Sequence, residues 1–126
     1  MKAEAFLQLV KRSMPDRSQL AAHGLDEEEI RDIQSIFVAP ARGIAAPQGV
    51  TELERMIIEF DCSKLTVGLV RFNDRLELHA PGKCFALCEA DPLVILPDGR
   101  VGLVDHAVPD RVHELCAASP EQFLDA

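Results

Sequence analysis

Tryptophan and tyrosine are absent from this chain, and six phenylalanines supply all of its aromatic surface. Readings that need stacked aromatic platforms, such as single-stranded nucleic-acid or sugar binding, are disfavoured. No apolar run approaches the roughly 20 residues of a membrane span, and the opening residues lack a signal-peptide core. The expectation is a cytoplasmic protein that does not engage a membrane. The four cysteines, Cys62, Cys84, Cys88 and Cys116, make no pair of close zinc-binding doublets. Without a secretion signal they are expected to be reduced. Gly43, Gly49 and Gly99 fit no pattern that lays glycine backbone against a pyrophosphate.

Positive charge is scarce where it would matter for a nucleic acid. The formal charge is −8, and residues 86–126 carry eight acids against two bases, Arg100 and Arg111. Binding DNA or RNA depends on neutralising phosphates, so that segment would repel them. A basic protein would instead be attracted and steered to it. Solubility alone is the plainer explanation of the same acids. With 126 residues, 48% of them apolar, the chain has enough material for one buried core.

The helical signals come first. Ala3, Phe6, Leu7, Val10 and Met14 recur at helical spacing, predicting a helix over residues 3–13 that ends before Pro15. Asp26 and Glu29 form a capping box, Leu25 and Ile30 sit at staple positions, and Ile30, Ile33, Ile36 and Phe37 supply a buried stripe. Glu27, Glu28 and Glu29 then read as a solvated first turn that complements the helix dipole, and His23 as a loop residue. Residues 38–50 hold two prolines and two glycines and read as irregular loop. Residues 51–60 are open between a helix capped by Thr51 and Glu54 and a strand at Met56–Phe60.

From Leu65 the period changes to two. Leu65, Val67 and Leu69 alternate, and Asn73-Asp74 is expected to turn the chain into 75–79, with Leu76 and Leu78 sharing one face. Pro81-Gly82 turns it again. In 83–90, Phe85 and Leu87 are expected on one face and Cys84, Ala86 and Cys88 on the other. Leu93–Leu96 and Val101–Val104 flank Pro97-Asp98-Gly99-Arg100, a strong hairpin signal. After a linker, Ser119-Pro120-Glu121-Gln122 starts a closing helix. These signals predict a single α+β domain over 1–126. It is mainly an antiparallel sheet of about four to six short strands, with N-terminal helices and a C-terminal helix packed on it.

Reactive constellations are few. Cys84 and Cys88, with His79 nearby, lie about 13 Å apart on a strand and cannot share an ion, so structural thiols are expected. Asp105-His106 with His113 and Cys116 contains the residue types of acid, base and nucleophile. His113 and Cys116, three apart, could share a helix face. Cys116 equally continues the apolar set of Val112 and Leu115, and no nucleophile elbow is present. No catalytic, cofactor or metal residue is therefore assigned.

The Asp91-Pro92-Leu93-Val94 run, the Gly99-centred turn into Val101–Asp105, and Ala118-Ser119 leading to Phe123-Leu124 resemble the SUKH superfamily. That superfamily includes bacterial immunity proteins and fungal cell-wall-synthesis regulators. The matching segments span roughly 40 residues; the family's aromatic-containing opening helix and early Asn-Gly pair have no counterpart here. The resemblance implies binding rather than catalysis. Bacterial members resemble antidotes that block the active site of a partner toxin, such as a basic nuclease or deaminase domain. Glu89, Asp91, Asp98 and Asp105, at strand ends and turns, are the candidate partner-binding residues, expected to line one rim. The alternatives are a small cytoplasmic enzyme using His106, His113 or Cys116, and a regulatory subunit without catalysis.

Overall fold

The computed structural model describes residues 1–125. Three short helices open the chain: α1 (Ala3–Arg12), α2 (Arg17–Ala22) and α3 (Glu27–Ser35). The loop expected over 38–50 follows, and then α4 (Glu52–Glu59). Six strands come next: β1 (Thr66–Val67), β2 (Val70–Leu78), β3 (Lys83–Cys88), β4 (Asp91–Ile95), β5 (Val101–Val104) and β6 (Val112–Ala117). Helix α5 (Pro120–Asp125) closes the order. The strands form one antiparallel meander, β1-β2-β3-β4-β5-β6. This is the α+β class that the sequence pattern predicts.

Capping decides most helix starts. Asp26 accepts the Glu29 amide at 2.8 Å, while its own amide donates to the Glu29 carboxylate at 3.2 Å. Thr51 and Glu54 make the same exchange, which resolves residues 51–60 as helix rather than strand. The other Glu54 oxygen accepts Lys83 Nζ at 2.9 Å, so this nearly buried carboxylate is fully partnered. Helix α2 was not expected, although Asp16 and Gln19 have box spacing and the Asp16 amide donates to Gln19 Oε1. At α5, Ser119 Oγ accepts the Gln122 amide, but Gln122 Oε1 accepts from Ala118, one residue before the cap.

Helices α1, α4 and α5 cover one sheet face. Ala3, Val10, Leu53, Met56, Ile57 and Leu124 meet Phe72, Phe85, Ala86, Leu93, Ile95 and Val101 there. Aromatic contacts run through it: Phe6 to Phe72 at 6.1 Å, Phe72 to Phe85 at 6.3 Å, and Phe85 to Phe123 edge-on at 5.1 Å. Burying each ring contributes roughly 2–3 kcal/mol. A smaller cluster of Cys84, Val94 and Val104, flanked by Leu96 and Val112, occupies the other face. Arg55 on α4 ties the helices together, pairing with Glu4, Glu52 and Glu59.

Several expectations fail, for one shared reason. Asn73-Asp74 does not turn the chain; the turn comes at Gly68-Leu69, and β2 runs on through both residues. A bulge absorbs them instead, since Asn73, Asp74, Arg75 and Leu76 all lie opposite Phe85 alone. Arg42, from the 38–50 loop, bonds Asp74 through both its backbone and its side chain and so holds that bulge. Leu78 does not join Leu76 in the core; it is 87% exposed. Phe85 is itself an extra residue against β4, so Phe85 and Ala86 both enter the large core instead of alternating. The "linker" after β5 contains β6, an edge strand exposed along most of its length. Bulges reset the period-two pattern, and an edge strand with little buried face carries no such pattern.

Candidate functional site

The meander sends its turns to opposite ends of the sheet. The β3–β4 turn (Glu89-Ala90) and the β5–β6 connection (105–111) share one end, and the β4–β5 turn holding Asp98 lies at the other. Asp98 therefore does not line a common rim with Glu89, Asp91 and Asp105. Its carboxylate is turned onto its own hairpin, accepting the Arg100 amide at 3.0 Å and Arg100 Nε at 2.7 Å. Both contacts lower its pKa.

At the first end the acids come together. Asp91 opens β4, and its Oδ1 accepts the backbone amide of His106 at 3.1 Å and lies 2.6 Å from His106 Nδ1. His113 Nε2 stands 3.5 Å from Asp91 Oδ2. Carboxylate oxygens of Asp91 and Asp105 and a ring nitrogen of His106 lie within 4.8 Å of one another. The connection that presents them is folded by its own amides: Asp105 pairs with Arg111, Val108 with Asp105, and Ala107 with the Asp105 carboxylate. The His106 hydrogen bond holds the Asp91 carboxyl below its usual range, and Asp91 in turn raises the His106 imidazole.

His113 and Cys116 do not share a helix face. Both lie on β6, and both are its unpaired bulge residues. Leu103–Glu114 is followed by Val104–Val112, and Gly102–Leu115 by Val101–Ala117. The first bulge frees His113 from the ladder within reach of Asp91. Partial desolvation of the Cys116 sulfur, and then the Glu114 charge, push its thiol pKa upward although the residue is exposed. A nucleophilic thiolate needs the opposite shift. Among the described residues, no hydroxyl or thiol hydrogen-bonds to either imidazole. The cluster can move or hold a proton, but it is not wired to a nucleophile.

The same end carries two features that the sequence reading missed. Glu89 has φ +57°, the one positive value on a non-glycine residue among those described. It is the first residue of a two-residue hairpin turn, where glycine is favoured. Its amide donates to Leu69 O at 3.1 Å, and Leu69 is 65% exposed. A large exposed apolar side chain thus stands beside Glu89. At the opposite end, a concavity of about 530 Å³ beside Leu78, His79 and Leu96 includes Glu54 and Lys83, but their charges satisfy each other.

Among the described residues, no helix is long and apolar enough to cross a membrane. No family model, curated protein or solved structure matches the chain.

Proposed function

We propose that this chain is a protein-binding module of the immunity type, which neutralises a basic toxin domain, such as a nuclease or deaminase, by occluding its active site. The observation that carries the reading is the placement of Glu89, Asp91 and Asp105 at one sheet end, with exposed Leu69 beside Glu89. An exposed apolar anchor at one side of an acidic sheet end suits a partner with a basic surface: the acids steer the encounter, and burial of the leucine slows release. The resemblance of the closing third to the SUKH superfamily points the same way. The reading involves no catalysis and no cofactor.

The test is co-expression of the chain with the product of the neighbouring open reading frame. Protection of the cells and capture of a basic partner support the reading. Glu89→Lys and Asp105→Lys should abolish protection, Leu69→Ala should weaken it, and Asp98→Lys should leave it intact. His106→Ala combined with Cys116→Ala should retain it, whereas an enzyme using those groups would lose its activity. Absence of both protection and a basic partner would sink the proposal.

A further inference from the structure

We propose that Asp91, Asp105 and His106 form a binding site for a divalent transition-metal ion of the zinc type. Three potential ligand atoms from the start of β4 and from the β5–β6 connection already lie within 4.8 Å of one another. A tetrahedral ion with bonds of about 2.0–2.2 Å spaces its ligands by roughly 3.3 Å. An ion would take the place of the proton between His106 Nδ1 and Asp91 Oδ1, which now lie 2.6 Å apart.

Three details distinguish this cluster from an ordinary acidic turn. First, it contains an imidazole, and a second one, His113, approaches the outer oxygen of Asp91 at 3.5 Å. His113 is suited to the outer partner that orients a ligating carboxylate. Second, the charges are incompletely compensated. Among the described residues Asp105 makes no ion pair, and the hydrogen bond from Ala107 occupies just one of its oxygens. Third, two of the donors belong to segments fixed by other contacts: Asp91 by pairing with Cys88, and Asp105 by the hydrogen bond its amide donates to Arg111 O. The backbones of Asp91 and Asp105 are therefore held in place before an ion arrives.

The donor set selects the ion. One imidazole nitrogen with carboxylate oxygens suits Zn²⁺, Co²⁺ or Ni²⁺, whereas Ca²⁺ and Mg²⁺ take oxygen ligands alone. The His106 side chain is 62% exposed, so water would complete the coordination shell and the site is an open one. An ion here would neutralise Asp91 and Asp105, two of the acids on which the proposed function rests, but its binding is read on the purified chain without any partner, so either proposal can fail alone.

The experiment is titration of the purified chain with Zn²⁺ in competition with a chromophoric chelator, followed by the visible spectrum with Co²⁺. One equivalent should bind, and the Co²⁺ spectrum should show no thiolate charge-transfer band. Asp105→Asn and His106→Ala, each checked for folding by circular dichroism, should weaken binding about 10-fold or more. His23→Ala, His79→Ala and Cys116→Ser should leave it unchanged. The proposal is overturned if no ion binds, if Asp105→Asn and His106→Ala folded as the wild type bind equally well, or if Cys116→Ser abolishes binding.

Discussion

His106 Nδ1 lies 2.6 Å from Asp91 Oδ1, and the His106 amide reaches the same oxygen at 3.1 Å. One carboxylate oxygen thus fastens both the backbone and the side chain of a residue fifteen positions later. The contact pins the β5–β6 connection to the start of β4. It also concentrates acids at one end of the sheet, because Asp105 is carried along with His106.

Removing that fastening should loosen the connection without unfolding the sheet. In Asp91→Ala, amide exchange at His106, Ala107 and Val108 should speed up, while amides of β3 and β4 beyond the turn keep their protection. Hydrogen exchange followed by NMR reads this directly. Uniform protection across the connection in the variant would show that the loop's own turns suffice.

Acid should destabilise the protein through the helix layer. Arg55 holds Glu52 down to about 2 and lowers Glu4 as well, both from an ordinary 4.5. A carboxylate with a depressed folded-state pKa contributes stability above its unfolded pKa and loses it as pH falls through the folded value. Stability should therefore decline from about pH 4.5 towards pH 2. Arg55→Met should flatten this decline and cost about 2 kcal/mol at neutral pH, where three carboxylates lose their shared partner. Melting temperatures at successive pH values check both the slope and the offset.

Two glycines should differ sharply on replacement by alanine. A Cβ at Gly82 would lie 2.2 Å from the backbone oxygen of Ile95, and a strand carbonyl cannot give way. A Cβ at Gly102 would lie 2.8 Å from Val112 Cγ1, on a side chain that can rotate. Gly82→Ala should cost several kcal/mol or prevent folding, and Gly102→Ala about 1–2 kcal/mol. Urea denaturation of the two variants gives the comparison; equal costs would contradict the packing.

Glu89→Gly should stabilise the chain by about 1 kcal/mol, because a positive φ strains glutamate but not glycine. If the acidic end docks a partner, the same change should weaken binding. Thermal unfolding and a binding assay on one variant would show whether stability and function oppose each other at this turn.

Local signals in the sequence identify much of this fold. The Asp26–Glu29 box, the Pro97–Arg100 hairpin and the Ser119 cap involve groups a few residues apart, so spacing alone predicts their hydrogen bonds, whereas the Thr51–Glu54 spacing leaves 51–60 open between helix and strand. The misplaced turn at Asn73-Asp74 and the overlooked β6 arise where pairing with another strand outweighs local preference. The candidate site was partly legible. Asp91, Asp105, His106 and His113 all stand out as residue types, yet nothing in their spacing reveals that Asp91 lies between two imidazoles.

Residue chemistry and local propensity by themselves determined the cap of α3, the Pro97–Arg100 hairpin and the acid excess of the final third. Tertiary structure alone decided which acids meet. A meander places successive turns at opposite ends of the sheet, so Asp98 parts from Asp91 although they are close in sequence, while Asp105 and His106 return to it. The bulge at His113 is decided in the same way, by the register of an edge strand against β5, which requires the whole sheet to be assembled.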